Sequence, residues 1–558
     1  MKPTEPTPLY ALLDRIERCH ERGHTYLASA GESRKRSYAE LMAVAATVHS
    51  QLHQRGFVAG QRLALIAADA ASFIPAFVAG VRAGLVLVPL APPPLGGRQQ
   101  SYSALLRQIA GTADLHGIVA PESLHALIAE AMPGVPVLGY DALHTITSDP
   151  APEPAELTPD DTCFLQFTSG STGTPKGVVV SYRNLAANTR AIMEHGLQIT
   201  PRDVGVSWLP LHHDMGLIGK VLAPLAHGTE MVYLSTSAFI KNPNLWLDAI
   251  TRHGGTISFA PNFAFAYVAK HYLRRPVPLH LGSLRVLGCG AEPINPEVLA
   301  EFSRCFAPLG LREGVIAPSY GMAEATLAVS FSRRWHTLAI DRSACETHRR
   351  AVPSDTVDAL RLVSCGPAFP EHAITVLDEH GRHLAAGVIG QIAVRGPSVS
   401  RGYFRNPEAS AQHFVDGWLH TGDLGFLHEG EVYICGRVKD LIIVNGRNVY
   451  PQDIEWQVET LPNVRSGAVV AFAVPGTATE QVIVLAEARG QGGDLDERIR
   501  ERLAEEMGLT VHDVRVLPSG RIPKTTSGKV QRAKARAEYL AGAYDATLTE
   551  PDTTETLA

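Results

Sequence analysis

No two of the seven cysteines (positions 19, 163, 289, 305, 345, 365 and 435) are spaced C-x-x-C, and they are scattered along the chain. That excludes a zinc-ribbon or disulfide framework and suits free thiols in a reducing cytosol. Lysine and arginine form no run, and the formal net charge is −6, so the electrostatic footprint of a nucleic-acid binder is missing. A long uninterrupted apolar stretch is lacking too. The greasiest tract, 63–91, is broken by Asp69, Pro75 and Arg82, which excludes a membrane-spanning helix there. The opening residues MKPTEPTPLYALLDRIERC carry no apolar signal core, so a cytoplasmic location is expected. There is no internal repeat.

What remains is an ordinary globular composition, 45% hydrophobic and 19% charged, in a chain too long at 558 residues for one core. Two or three domains are expected. The runs RLALIAA (62–68) and LVLVPL (85–90) flank the helical pattern SFIPAFVAGVRAG, which predicts a βαβ unit. The same pattern is expected near 163–195 and 256–290, giving an α/β layered domain with ligands at strand C-terminal ends. From about 360 the chain turns strand-rich (AITVLD, QIAVRG, VYICGR), and after 440 it restarts as a small α+β unit.

Residues 167–177, FTSGSTGTPKG, hold three glycines, two serines and three threonines around Lys176. Apolar runs on either side, CFLQF and VVVSY, predict a loop between two strands. Glycines free backbone N–H groups to turn toward an anion, and hydroxyls and a lysine add donors, so this is a phosphate cradle. It is not a P-loop. Pro175 stands where that motif has its second glycine and Gly177 where it has Ser or Thr, so a donor and a Mg²⁺-binding hydroxyl are lost.

This string resembles the phosphate loop of the adenylate-forming superfamily, which includes acyl-CoA synthetases, luciferases, peptide-synthetase adenylation domains and fatty acyl-AMP ligases. Seven further tracts match in the same order: SWLPLHHDMGLIG (207–219), GCGAEPI (288–294), SYGMAEATL (319–327), GYFRNPEAS (402–410), GWLHTGDLG (417–425), GRVKDLIIVNGRNVYPQDIE (436–455) and PKTTSGKVQR (523–532). The resemblance implies a large multi-subdomain N-terminal α/β domain with helices layered on mixed sheets, residues 1–436. A hinge at 437–440 would lead to a small mobile α+β domain, 441–544, and a disordered tail, 545–558.

The implied reaction joins a carboxylate to ATP and then passes the acyl group to a thiol. By resemblance, Thr168, Ser169, Gly170, Ser171, Thr172, Gly173 and Lys176 cradle the pyrophosphate. Glu324 meets Mg²⁺ together with Thr168, since a hard cation takes carboxylate and other oxygen ligands. Tyr320 stacks on adenine, flanked by Gly321 and Met322, and Gly290, Ala291 and Glu292 line its other side. Asp423 accepts from the ribose hydroxyls, Arg437 is a second ribose or phosphate contact, and Lys439 is the pivot. Lys529 is the catalytic cation delivered by a flexible loop, a task suited to a long point-charge donor. His213 gates the passage between acyl and ATP sites. The run His212–His213–Asp214 also suggests a metal site, but neighbours in an extended segment point opposite ways.

Within the superfamily, HHDMGLIG, the wall SFAPNFAFAY (258–267) and GRNVYPQDIE resemble fatty acyl-AMP ligases. The long polar stretch 333–361 is placed as their CoA-excluding insertion, and an acyl-carrier protein is the implied partner. Acyl-CoA synthetase is the alternative, and an amino-acid adenylation domain comes third, because the wall has no acidic residue to catch an ammonium. A catalytically dead binding relative would have lost Lys529, Glu324 or Asp423, and all three are present.

Overall fold

The computed structural model describes residues 7–28, 32–67, 69–93, 99–145, 152–168, 175–476, 479–490, 492–525 and 528–545. Residues 62–90 form the expected βαβ unit. Strand Arg62–Ile66 runs parallel to Val86–Leu90, and helix Ala70–Arg82 crosses between them. The Asp69 carboxylate accepts from the Ser72 N–H at 2.9 Å and caps that helix, satisfying one of its orphan donors. The unit at Ile257–Ala260, Asn262–Arg274 and Val286–Cys289 is likewise parallel.

The first strand pair belongs to a six-stranded sheet in the order 137–139, 117–120, 62–66, 86–90, 162–168, 176–181. The second belongs to an eight-stranded sheet in the order 328–331, 316–321, 286–289, 257–260, 204–207, 230–233, 23–27, 33–37. Its six inner strands are parallel, with an antiparallel strand at each edge. The alternation of strand side chains divides the cores. Leu63 and Leu65 pack with helices 38–54, 70–82 and 182–190 and with Met231 and Tyr233 of the second sheet. Ala64 and Ile66 face the opposite layer with Leu106, Ile109 and Ile128.

The expected βαβ unit at 163–195 is instead a hairpin. Thr162–Thr168 pairs antiparallel with Lys176–Ser181, Thr168 opposite Lys176. The helical signal lies beyond the second strand, in Tyr182–Arg190, whose start is fixed by a reciprocal Ser181–Asn184 capping box. Thr168 and Lys176, the two ends of the phosphate tract, are thus brought face to face by the strand pairing. Residues 169–174, including Ser169, Gly170, Ser171, Thr172 and Gly173, lie outside the described residues.

Beyond 360, strands 373–377, 390–395, 418–428, 414–415 and 431–437 make an antiparallel sheet. The C-terminal unit comprises the hairpin 442–444/447–449 and the sheet 464–474, 481–488, 513–517, with helices 451–459, 495–507 and 532–540. Ile442, Ile454, Val484, Ile499 and Leu503 centre its separate core. The polar stretch 333–361 contributes strand Thr337–Ile340, antiparallel to Leu360–Val363, and helix Arg342–His348. Asp545, first residue of the expected tail, pairs with Arg515 at 3.4 Å; residues 546–558 lie outside the described residues. The cysteines are free, five of them buried. Among the described residues no helix is long and apolar enough to cross a membrane.

Candidate active site

The hairpin carrying Thr168 and Lys176 is held from outside by the GYFRNPEAS tract. Val179 N–H donates to the Gly402 carbonyl at 3.0 Å, and Phe404 N–H to that of Gly177 at 2.7 Å. This presents Tyr403 to two of the expected residues. The Lys176 ammonium lies 5.0 Å from the Tyr403 ring centroid, and the Tyr403 hydroxyl donates to Glu324 Oε1 at 2.8 Å. Among the described residues Glu324 Oε2 accepts nothing, so one carboxylate oxygen is fixed and the other is available. Glu324 sits in the single turn Ala323–Ala325 after strand Ile316–Gly321.

Tyr320, on that strand, donates its hydroxyl to Asp423 Oδ2 at 2.7 Å. Burial and the Asp423 charge push the phenol pKa well above its ordinary value. Arg437 lies opposite Asp423 on the paired strand, and its Nε donates to Asp423 Oδ1 at 3.0 Å. Gly321 is required by packing, since a Cβ there would come 1.9 Å from the Leu327 carbonyl. A Cβ on Gly290 would meet the Ser319 carbonyl oxygen at 2.9 Å, so backbone approaches backbone beside Tyr320. Ala291 follows with φ +69°, an uncommon conformation for a residue with a Cβ and a mark of functional loops. Glu292 has a second engagement: Oε1 accepts from the Phe263 N–H at 2.6 Å, at the start of helix Asn262–Arg274. Burial raises its pKa, while that N–H and Lys529 oppose the rise.

Ala291 leads into a cavity of about 20 Å³, one water in size, lined by Trp208, Leu209, Pro210, His213, Met215, Gly216, Pro261, Ala291 and Lys529. Lys529 therefore reaches from the C-terminal unit to the wall of this pocket. Its loop is closed by Thr525 N–H donating to the Lys529 carbonyl at 2.7 Å and by Lys529 N–H donating to Thr525 Oγ1 at 3.0 Å; Thr526 and Ser527 lie outside the described residues. Burial lowers the Lys529 pKa, and Asp214 and Glu292 counter it. The tract HHDMG is a turn entering helix Asp214–Leu217 rather than an extended segment. His213 pairs with Asp214 (Nδ1 to Oδ1, 2.6 Å) and faces the cavity. His212 turns inward, where burial and the neighbouring His213 push its pKa down to about 3. Burial favours the acid form of Asp214, but His213 and Lys529 outweigh it and hold its pKa below the usual value.

Of the four aromatics in 258–267, Phe263 packs edge-on against Trp208 of the cavity wall at 6.3 Å, and Phe259 is buried against Phe331 and the Lys220 ammonium. Phe265 is core, packed edge-on against Trp246 and Phe302. Tyr267 is exposed, and its hydroxyl donates to the Ile240 carbonyl at 2.6 Å. Past Arg437, Lys439 lies in the turn Val438–Asp440. Asp440 accepts from Arg532 at 2.9 Å and Glu455 from the same guanidinium at 2.7 Å. Asp440 and Glu455 are thus tied to the tract 523–532 that bears Lys529. Farther along, Arg447 donates through Nε and Nη2 to Glu346 Oε2 (3.0 and 2.7 Å), and Asn448 donates to the Glu346 carbonyl at 2.6 Å. This joins the 333–361 stretch to the C-terminal unit.

Residues 16–404 match the family model described as AMP-binding enzyme. The chain belongs to this family. Its relatives include a Caulobacter vibrioides protein provisionally named acyl-CoA synthetase, 39% identical over 522 residues and 91% of each chain. Another is the long-chain-fatty-acid–AMP ligase FadD26 of Mycobacterium marinum, 34% identical over 545 residues, 91% of this chain and 92% of that one. A solved structure from work on fatty acyl-adenylate ligases of E. coli and L. pneumophila superposes with a TM-score of 0.89 at 36% identity, covering 97% of this chain and 98% of that chain. The AMP-binding enzyme described here shares their layered α/β architecture and C-terminal unit.

Sequence reasoning missed three participants. Tyr403 lies inside a matched tract, but a tyrosine between glycine and phenylalanine carries no chemical signature. The Glu346–Arg447 pair spans 101 residues, beyond any local pattern. Lys220 immediately follows the tract that ends at Gly219, within an apolar run that reads as core.

Proposed function

We propose that this AMP-binding enzyme activates a fatty acid with ATP and passes the acyl group to the phosphopantetheine thiol of an acyl-carrier protein. In the first step a carboxylate oxygen attacks the α-phosphorus, the α–β phosphoanhydride bond breaks, and pyrophosphate leaves. In the second the thiol attacks the acyl carbonyl and AMP leaves. The observation that carries the reading is the shared pocket wall. Lys529 borders a cavity otherwise lined mainly by apolar residues, and Ala291 of that wall follows Gly290, which packs against Ser319, the neighbour of Tyr320.

In this reading Asp423 and Arg437 hold the ribose, Tyr320 with Gly321, Met322 and Gly290 borders adenine, and Lys176 with Thr168 and the loop 169–173 cradles phosphate. Mg²⁺ fits Glu324 and Thr168, because Tyr403 orients one carboxylate oxygen and leaves the other to a hard cation; when bound, the ion offsets phosphate charge. Lys529 bridges the reacting carboxylate and α-phosphate, a preorganised charge where charge develops. His213 gates the acyl entrance. The C-terminal domain, from 441, turns about residues 437–440 between the two steps.

The FadD26 relative supports the fatty-acid–AMP ligase step, and the carrier-protein acceptor is supported by the Glu346–Arg447 contact, which anchors the 333–361 stretch on the domain that must turn. Free buried thiols suit a cytoplasmic enzyme. The Caulobacter relative favours a second reading, acyl-CoA synthesis. Pyrophosphate release measured with a panel of fatty acids, followed by a chase with CoA or holo carrier protein, tests the first step and separates the two readings.

A further inference from the structure

Lys220 is a buried cation to which the reaction above gives no task. It lies in the π-helical turn Ile218–Leu222, a geometry that is rare and concentrated at functional sites. The residue is only 3% exposed, and its Nζ lies 4.1 Å from the ring centroid of Phe259. Among the described residues no carboxylate or carbonyl meets that nitrogen; the Tyr233 hydroxyl donates to the Lys220 backbone carbonyl at 2.7 Å and not to the amine. Burial alone draws the ammonium pKa down to about 7. A lysine serving packing only would be met by an oxygen acceptor, because an unpartnered buried charge is costly. One aromatic face offsets only part of that cost.

Lys220 and Phe259 sit on the two elements that wall the cavity bordered by Lys529. Gly216, one helical turn earlier, lines the cavity. Lys220 lies four residues on, in the π-turn that continues the same helical segment. Pro261 lines the cavity from the other wall, and Phe259 lies two residues before it, in the strand Ile257–Ala260. Gly288 on the adjoining strand makes room for the Phe259 ring, since a Cβ there would lie 2.0 Å from it. Lys220 and Phe259 thus meet across the two elements that supply Met215, Gly216 and Pro261 to the cavity wall, without themselves lining it.

We propose that Lys220 is a specificity-determining residue, receiving an oxygen acceptor carried on the chain of the acid substrate, a hydroxyl, keto or second carboxylate oxygen lying a few carbons from the carboxyl group that Lys529 meets. The inference rests on the acyl-pocket reading of this site and narrows its substrate class. A plain alkyl chain leaves the amine unpaired, whereas a chain oxygen completes it. Sites built to hydrogen-bond a substrate group discriminate strongly against analogues without it.

The test is kcat/KM for pyrophosphate release with acids of matched length that are unsubstituted, hydroxylated, oxo-substituted or dicarboxylic. The proposal expects at least one oxygenated acid to exceed the unsubstituted one by about tenfold or more, chiefly through KM. In Lys220→Met, which keeps side-chain length without a donor, that ratio should fall to near one; Lys220→Gln, with a neutral donor, should retain part of it. A wild-type preference for the unsubstituted acid overturns the proposal, as does an oxygenated preference that survives in Lys220→Met. The wild-type panel decides even if a variant fails to fold. Release with unsubstituted acids only counts against Lys220's role alone, whereas no release with any acid counts against the adenylation reading itself.

Discussion

Tyr320 and Asp423 share a hydrogen bond of 2.7 Å, and the second oxygen of that carboxylate is met by Arg437 at 3.0 Å. The aspartate is oriented from two sides before a nucleotide arrives. Residues 103 positions apart thus fix one carboxylate, and its proposed task is to accept from the ribose hydroxyls.

Replacing that carboxylate should damage nucleotide binding first. Hydrogen bonds to a charged group contribute about 1.5–3 kcal/mol each, so Asp423→Ala should raise the ATP KM at least tenfold and leave the fatty-acid KM nearly unchanged. Tyr320→Phe keeps the ring and loses only the orienting bond, so a smaller rise is expected. Steady-state kinetics with each substrate varied checks both. An unchanged ATP KM with a raised acid KM would place Asp423 in the wrong pocket.

Lys529 should matter to one half-reaction. Losing one preorganised charge stabiliser costs about 10²–10³ in rate, so Lys529→Ala should slow acyl-adenylate formation by that factor or more. Transfer from preformed acyl-AMP to a thiol should survive. Single-turnover measurements of the two steps distinguish this from a general loss of structure, which would depress both.

Much of this arrangement was legible in the sequence because it is local. Asp423 and Lys529 are recognisable from the resemblance of their short tracts, since alone an aspartate after a glycine reads as a turn and a lone lysine as surface. The units at 62–90 and 257–289 follow instead from apolar runs flanking a helical period. The hairpin at 162–181 was misread as a crossover because strand periodicity does not say which way the next strand runs. Phe259 and Phe265 are chemically alike in sequence, and only the strand-to-helix change at Pro261 sends one toward Lys220 and the other into the core. The Glu346–Arg447 contact depends on tertiary packing of two separate units.

That contact has a pH signature through Asp453, which lies in the helix just after the Arg447 hairpin. Burial pushes its carboxyl up to about 7, with Arg342 opposing and Glu346 and Glu455 adding to the rise. Between about pH 4 and pH 7 the folded state holds a proton that the unfolded chain releases, so stability contributed by this group falls as pH rises through that window. Asp453→Asn should flatten that decline. Denaturant unfolding of both proteins at about pH 5 and about pH 7.5 checks the sign; an identical pH dependence in the variant would contradict it. Glu346→Gln, by loosening the same contact, should raise acyl-CoA yield while leaving pyrophosphate release roughly intact.

Lys220 gives the opposite slope. Its pKa falls from 10.5 to about 7, so from about pH 7 to above pH 10 the unfolded chain binds a proton that the native state lacks. Stability should therefore rise with pH across that window. Lys220→Met removes the slope and should be more stable than the wild type by a few kcal/mol at neutral pH and below. Thermal or denaturant melts at several pH values test this, and a less stable variant at neutral pH would show that the amine has a partner in the folded protein.

The acceptor is the most direct test of the whole account. Enzyme charged with ATP and fatty acid should accumulate acyl-AMP. Chased with equal concentrations of CoA and holo carrier protein, it should acylate the carrier and make little acyl-CoA. Both acceptors offer the same thiol, so any preference must come from the geometry around the C-terminal domain and from contacts at the far end of CoA. Acyl-CoA formed as fast as acyl-carrier protein by the unmodified enzyme would contradict the account.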